Sequence, residues 1–213
     1  MNKNYSQAYQ DIFILSILDY KLNGSFVEIG SNHPIDHNNT YLLSKNYNWK
    51  GLMIEYDKSF ESLYKEIRTN DIYVLEDARK VNYREILDNN KFPTNIDYLQ
   101  IDLDVNNGST IDTLTLLNNT VFDKYKFATI TFEHDIYTGN YFNTQEISRK
   151  IFNDRGYELI FPNVCVYWNG KHQPFEDWYI HPDLIKKEYV NKLKTDESLT
   201  CDSIKIKLNN LNQ

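Results

Sequence analysis

Phe26–Asn32 reads FVEIGSN, and Leu52–Tyr56 reads LMIEY. Each is a short apolar run closed by a turn, the pattern of a strand buried in a parallel sheet. The first run stops at Gly30, where a missing side chain lets a ligand lie on bare backbone. The second stops at Glu55, a carboxylate. A glycine turn after one strand and an acid at the tip of the next is the nucleoside-binding layout of doubly wound α/β folds, in which the acid accepts both ribose hydroxyls. Taken alone, Gly30 also suits an ordinary strand exit, so the argument rests on the pair and on the segments that follow.

The turn is not of the dinucleotide type. A pyrophosphate loop needs G-x-G-x-x-G, whereas Gly30 is followed by SNHPID. A nucleoside without phosphates fits better, and S-adenosylmethionine is the common one. The missing glycines disfavour a nicotinamide-dependent dehydrogenase.

Working outward, the chain alternates helices and strands. Apolar residues Ile12, Ile14, Leu15 and Leu18 predict an N-terminal helix over Tyr5–Tyr20. Strands are expected at 26–30, 52–55, 72–75, 98–103 and 127–132. Helices are expected at 38–47, 59–68, 83–87, 109–117 and 144–153. Tyr157–Phe161 and Val164–Trp168 flank Pro162-Asn163 and read as a terminal hairpin. The alternation predicts an α/β domain with a mainly parallel seven-stranded sheet, helices on both faces and an antiparallel hairpin at the end. One domain over residues 1–213 is expected, with a helix within 1–22 and a polar extension over 181–213.

Composition limits the rest. The 213 residues suffice for one full core, and 41% hydrophobic and 25% charged content is ordinary for a globular protein. A net charge of −7 disfavours non-specific nucleic-acid binding. No apolar run is long enough to span a bilayer, and the N-terminus lacks a signal-peptide core, so a cytoplasmic protein is expected. Cys165 and Cys201 read as two free thiols. Abundant Asn, Ile, Lys and Tyr suit an AT-rich genome, bacterial or that of a large DNA virus, the latter placing the protein in host cytoplasm.

Open α/β sheets bind ligands at the carboxyl ends of their strands. Asp102 and Asp104 end the fourth strand, and Glu133, His134 and Asp135 end the fifth. Such an acid cluster has two uses. It holds a hard divalent cation such as Mg²⁺ through Asp102, Asp104 and Glu133, or it supplies a general base from among Asp102, Asp104, Glu133 and His134. The bland alternative is a loop cap, because Asp104-Val105-Asn106-Asn107-Gly108 is a natural turn. His33 and His37 follow Gly30 and could line a pocket, while His172 and His181 read as surface residues. Aromatic residues make up 15% of the chain, and those near the acids, such as Tyr137 and Tyr141, suit the C–H faces of a sugar; core packing accounts for most others.

The ordered segments FVEIGSNHPIDHNNTYLL, WKGLMIEYD, VLEDA, IDYLQIDLD and ITFEHD resemble the FkbM-like branch of class I S-adenosylmethionine-dependent methyltransferases. FEDWYIHPDL is also similar to that family, and the resemblance covers residues 24–183. It implies that Glu28, Gly30, Ser31 and Asn32 lie under the amino-acid half of the cofactor, with Asn39 and Thr40 toward its carboxylate. It implies that Glu55 takes the ribose, that Tyr56 lies beside the adenine, and that Asp77 and Ala78 read the adenine edge. A helix cap or turn carboxylate is the alternative for Asp77. Asp102 would stand beside the sulfonium. Metal-dependent sugar and catechol O-methyltransferases carry acids at places similar to Asp102 and Glu133, but this chain has Val105 and Asn106 where some place their base. The resemblance implies O-methylation of a sugar hydroxyl in a deoxysugar, nucleotide sugar or glycan. Another small polar metabolite, or a non-catalytic cofactor-binding subunit, are the alternatives. A homo-oligomer is compatible with all of these.

Overall fold

The computed structural model describes residues 4–211. The outer limits of the expected domain, residues 1–3 and 212–213, lie outside them. Seven strands form one sheet: β1 (Ser25–Ile29), β2 (Lys50–Glu55), β3 (Ile72–Leu75), β4 (Asn95–Ile101), β5 (Lys126–Glu133), β6 (Glu158–Trp168) and β7 (Lys171–Ile180). Their order is β3-β2-β1-β4-β5-β7-β6, with β1–β5 parallel and β7 antiparallel to both neighbours. Because strand order reverses at β1 and β4, a crevice opens at their carboxyl ends. The expected architecture is therefore the observed one.

The strands alternate between two apolar layers. Phe26, Met53, Tyr98 and Trp178 face one side, packed by α1 (Gln10–Ile17), α2 (Tyr41–Tyr47), α3 (Glu61–Ile67), α7 (Lys187–Leu193) and α8 (Cys201–Asn209). Val27, Leu99, Ile101, Ile130 and Phe132 face the other, packed by α4 (Tyr83–Asn89), α5 (Ser109–Thr120) and α6 (Phe142–Asp154). Among the described residues, no helix is long and apolar enough to cross a membrane.

Three local expectations are corrected. Pro162-Asn163 is not the hairpin turn: β6 runs through it with register shifts between Leu159 and Cys165. The turn is Asn169-Gly170, both at positive φ (49° and 83°), as a tight two-residue hairpin requires. The N-terminal helix is shorter than its apolar spacing suggests. Tyr9 takes a left-handed conformation (φ 66°), and the Asp11 carboxylate accepts hydrogen bonds from Tyr5 N, Ser6 N and Ser6 Oγ, winding residues 5–9 into a turn. His181 is buried rather than on the surface, its ring set edge-on to Tyr157. The polar C-terminal stretch folds into α7 and α8, which bury Tyr189, Leu193, Ile204 and Leu208.

Candidate functional site

The crevice starts at Gly30. Gly30 N and Ser31 N both donate to Ile54 O, so the chain leaves β1 across the end of β2. Gly30 has φ 81°, and a Cβ there would sit 1.7 Å from Asp102 O. Only glycine fits against the end of β4 at that point.

The loop after Gly30 closes over Glu28, which is fully buried on the α3 side of the sheet. Glu28 Oε2 accepts from Thr40 Oγ1 (2.8 Å) and Asn38 Nδ2 (3.1 Å), while Oε1 has no partner. Burial pushes the Glu28 carboxyl up to about 7, opposed by the charge of Arg68. Asn39 Nδ2 donates to Gln100 Oε1, Gln100 Nε2 donates to Asp102 Oδ2, and Asn39 Oδ1 is a second buried acceptor without a partner. Ser31 is buried and also bonds Ile54 O through its hydroxyl.

Glu55 stands at the tip of β2. Its carboxylate accepts from Asn32 N (2.7 Å), Tyr56 N and Asp57 N (2.8 Å each), pinning the turns after β1 and β2 together. Beside it an open depression of about 530 Å³ is lined by Tyr56, Asp57, Lys58, Leu75 and Glu76. Tyr56 is 75% exposed there, free to lie against a planar ligand. Asp77 caps its own turn through Arg79 N and forms a two-point ion pair with the Arg79 guanidinium, which holds its carboxyl down at about 2. This is the turn carboxylate that the sequence alternative describes. Ala78 is buried, its carbonyl taken by Tyr83 OH. A separate depression of about 400 Å³ opens near Leu18, Lys21, Asp97 and Lys186 and contains none of these residues.

At the ends of β4 and β5, three carboxyls form a row on the Glu28 side of the sheet. Asp102 and Glu133 hydrogen-bond to each other, and Glu133 is paired across the ladder with Glu176 of β7. Burial raises Asp102, and burial together with the charge of Asp102 raises Glu133 well above the carboxylate range. Glu176, 1% exposed, is pushed up to about 8 by burial and then by Asp102. Its oxygens accept from Gln10 Nε2 (3.1 Å) and Trp178 Nε1. Asp135 and Tyr137 border the row: burial raises both, with Asp135 held back by its bond to Glu133 and Tyr137 raised further by the charges of Asp135 and Glu133. Sequence reading missed Glu176; the segment FEDWYI was noticed, but not its register against β5.

Two expected members do not join this row. The Asp104 carboxylate turns back onto its own loop, accepting from Asn106 N, Asn106 Nδ2 and Asn107 Nδ2. His134 points to the opposite face by strand alternation, fully buried, with Nε2 toward Gln145 (3.2 Å) and Asp177 (3.5 Å). Asp177 there also binds Arg149 at two points, and it stays well below the carboxylate range despite its burial. Among the described residues, no three His, Cys, Asp or Glu side chains are arranged to hold a metal ion. The Mg²⁺ set of Asp102, Asp104 and Glu133 thus loses Asp104 to its turn.

The residues fit a nucleoside-sulfonium cofactor on this structure's own terms. Gly30 offers bare backbone, Glu55 faces the crevice, the depression beside Tyr56 is open, and two buried acceptors, Glu28 Oε1 and Asn39 Oδ1, lack donors. Such a cofactor carries donors and positive charge at its amino-acid end.

No family model matches the sequence. No curated protein matches it at significant similarity. Solved structures do match the fold. The methyltransferase domain of METTL16 aligns over 80% of this chain and 66% of that one, at 9% identity and TM-score 0.55. The plantazolicin methyltransferase BamL, solved with a desmethyl-plantazolicin analogue and S-adenosylhomocysteine, aligns over 82% of this chain and 85% of that one at 11% identity and TM-score 0.52. A TehB-like S-adenosylmethionine-dependent methyltransferase from Corynebacterium glutamicum aligns over 81% and 88% at 11% identity and TM-score 0.50. The fold is that of class I methyltransferases.

Proposed function

We propose that this chain is an S-adenosylmethionine-dependent methyltransferase that acts on a hydroxyl of a sugar, nucleotide sugar or glycan. The observation that carries the reading is the Asp102–Glu133 pair at the carboxyl edge beside Gly30. Bound S-adenosylmethionine supplies a methyl carbon already activated by its sulfonium. The protein's part is to align the acceptor oxygen and take its proton. A carboxyl whose proton affinity is raised suits that task; Asp102 and Glu133 are both half-buried, and Glu133 is the one raised well above its ordinary value. Asp102, half-buried beside it, orients Glu133 and shares its charge. The rings of Tyr137, at the edge of the row, and Tyr141, whose hydroxyl bonds Asn106, suit a sugar face, and the acids suit its hydroxyls. A different small polar acceptor is the second reading, since the same acids would serve it.

Calorimetry with S-adenosylmethionine, with NAD as control, tests the cofactor. Incubation with a nucleotide-sugar panel, read by mass spectrometry as a gain of one methyl group, tests the acceptor. Heat with NAD and none with S-adenosylmethionine would overturn the proposal.

A further inference from the structure

Arg68, the residue that closes α3, is 4% exposed, stands behind the crevice, and its guanidinium is bonded at every nitrogen. Nε donates to Asp71 Oδ2 (2.9 Å), and Asp71 Oδ1 accepts from Gly51 N (2.9 Å), which fastens the group to β2. Nη1 donates to Asn38 Oδ1 (2.9 Å) and to Pro34 O (3.3 Å); Nη2 donates to Thr40 Oγ1 (2.8 Å) and Ser44 Oγ (3.1 Å). Asn38 and Thr40 in turn donate to Glu28 Oε2. Two parallel relays thus run from one guanidinium, through two loop side chains, to the same oxygen of a buried acid. The other oxygen is left with no donor.

The relays have a physical consequence. A donor that is itself held by a cation is polarised, and it bonds an anion more strongly than a neutral one. Arg68 therefore favours the ionised form of Glu28 without touching it, while its bonds to Pro34, Asn38 and Thr40 hold the loop in place. One turn earlier on α3, Tyr64 OH donates to Asn32 O (2.7 Å), so the same helix face grips the start of the loop as well. The groups facing Glu28 are Asn38 and Thr40 from the loop, Arg68 and Tyr64 from α3, Asp71 before β3, Met53 on β2, and Tyr98 and Gln100 on β4. Arg68 is the one cation among them; Asp71 opposes it.

We propose that Arg68 is the positioning residue of the cofactor turn: through Asn38 and Thr40 it clamps residues 31–40 over β1 and keeps Glu28 available as an anion for a donor on the cofactor. The proposal rests on the cofactor reading above, but part of its test does not.

The test compares wild type with Arg68→Lys, Arg68→Met, Glu28→Gln and the double variant Glu28→Gln/Arg68→Met. The first readout is amide hydrogen exchange over residues 31–40 in the ligand-free protein. Arg68→Met should speed exchange there at least about tenfold more than in β4 and β5. The second is S-adenosylmethionine affinity from about pH 6 to about pH 8. Wild-type affinity should rise with pH as Glu28 ionises, Arg68→Met should move that rise up by about one pH unit, and Glu28→Gln should abolish it. Arg68→Lys keeps the charge but, with all its donors on one nitrogen, cannot reproduce the fork that bonds Asp71, Asn38 and Thr40 at once, so it should lose affinity about tenfold while retaining the pH midpoint better than Arg68→Met. If Arg68→Met does not fold, Arg68→Lys and Tyr64→Phe decide through the exchange readout. Unchanged loop exchange in a folded Arg68 variant would refute the clamp. An affinity loss of equal size with and without Glu28, independent of pH, would refute the action through Glu28. A protein that binds no S-adenosylmethionine would overturn the cofactor reading and the proposed role of Glu28, and the exchange result would still decide the clamp.

Discussion

Glu133 and Glu176 stand opposite each other in the antiparallel β5–β7 ladder, two acids facing across adjacent strands, and none of the leading influences on the charge state of either is a cation. Like charges directly opposite repel, and burial adds to the cost. The arrangement persists because Asp102, Glu133 and Glu176 all bind their protons more tightly than isolated carboxyls do. In the proposed reaction it is the ionised form of Glu133, with its raised proton affinity, that would take the acceptor's proton.

Glu176→Gln mimics the protonated acid. It should leave stability within about 1 kcal/mol of wild type near pH 6 and match or exceed wild type near pH 9. Glu176→Ala should cost about 2–4 kcal/mol at both, because Gln10 and Trp178 lose their acceptor and a cavity forms. Urea unfolding at the two pH values checks this; equal losses for the Gln and Ala variants would contradict it.

Stability should fall as the solution becomes alkaline. Folded Glu28 and Glu176 titrate at about 7 and about 8, above their ordinary value of 4.5. The stability they contribute is complete below about pH 4.5 and is lost as pH rises through 7 and 8. Asp77 is held down at about 2 and Asp177 lies well below its ordinary value, so their contribution is present above about pH 4 and lost in acid. Unfolding free energy should therefore peak between about pH 4.5 and about pH 6 and drop by a few kcal/mol toward pH 9. A flat profile across that range would show that burial does not perturb these acids.

Glu55→Ala should weaken S-adenosylmethionine binding by about 1.5–3 kcal/mol, the range for a charge-assisted hydrogen bond. Because Glu55 also accepts from Asn32 N, Tyr56 N and Asp57 N, some loss of loop order is expected with it. Calorimetry on a folded variant measures the effect, and unchanged affinity would remove Glu55 from the ribose role.

Asp102→Asn and Glu133→Gln should each keep the fold and most of the cofactor affinity while lowering turnover at least about 100-fold. Asp104→Asn and a folded His134→Gln variant should stay within a few-fold of wild type, since neither side chain joins the row. Turnover should survive EDTA; loss on chelation and recovery with Mg²⁺ would instead assign Asp102 and Glu133 to a cation. Steady-state kinetics on an accepted substrate separates these outcomes.

Much of the fold was legible because it is written locally. FVEIGSN and LMIEY carry their own strand ends, and the acids after β4 and β5 follow from placing those ends on one edge. What escaped depends on partners distant in sequence. Glu176 matters through its register with Glu133, and Arg68 through a loop some thirty residues earlier that folds back on it (Asn38 to Arg68, 30 residues). Strand alternation sends His134 away from Glu133, as the period of two along a strand requires. The hairpin turn was misplaced because Pro162-Asn163 is a strong breaker pair, whereas Asn169-Gly170, the better two-residue turn, lies a few residues on.

The irregular course of β6 bears on how the molecule meets its own copies. β6 and β3 are the outer strands of the sheet. β3 spans only four residues, and β6 is broken by register shifts around Pro162, whose nitrogen cannot donate. Neither border offers the long, flat row of free amides and carbonyls on which a second chain could extend the sheet. Self-association by strand addition, the usual route from an open sheet to fibres, is thereby discouraged at both borders.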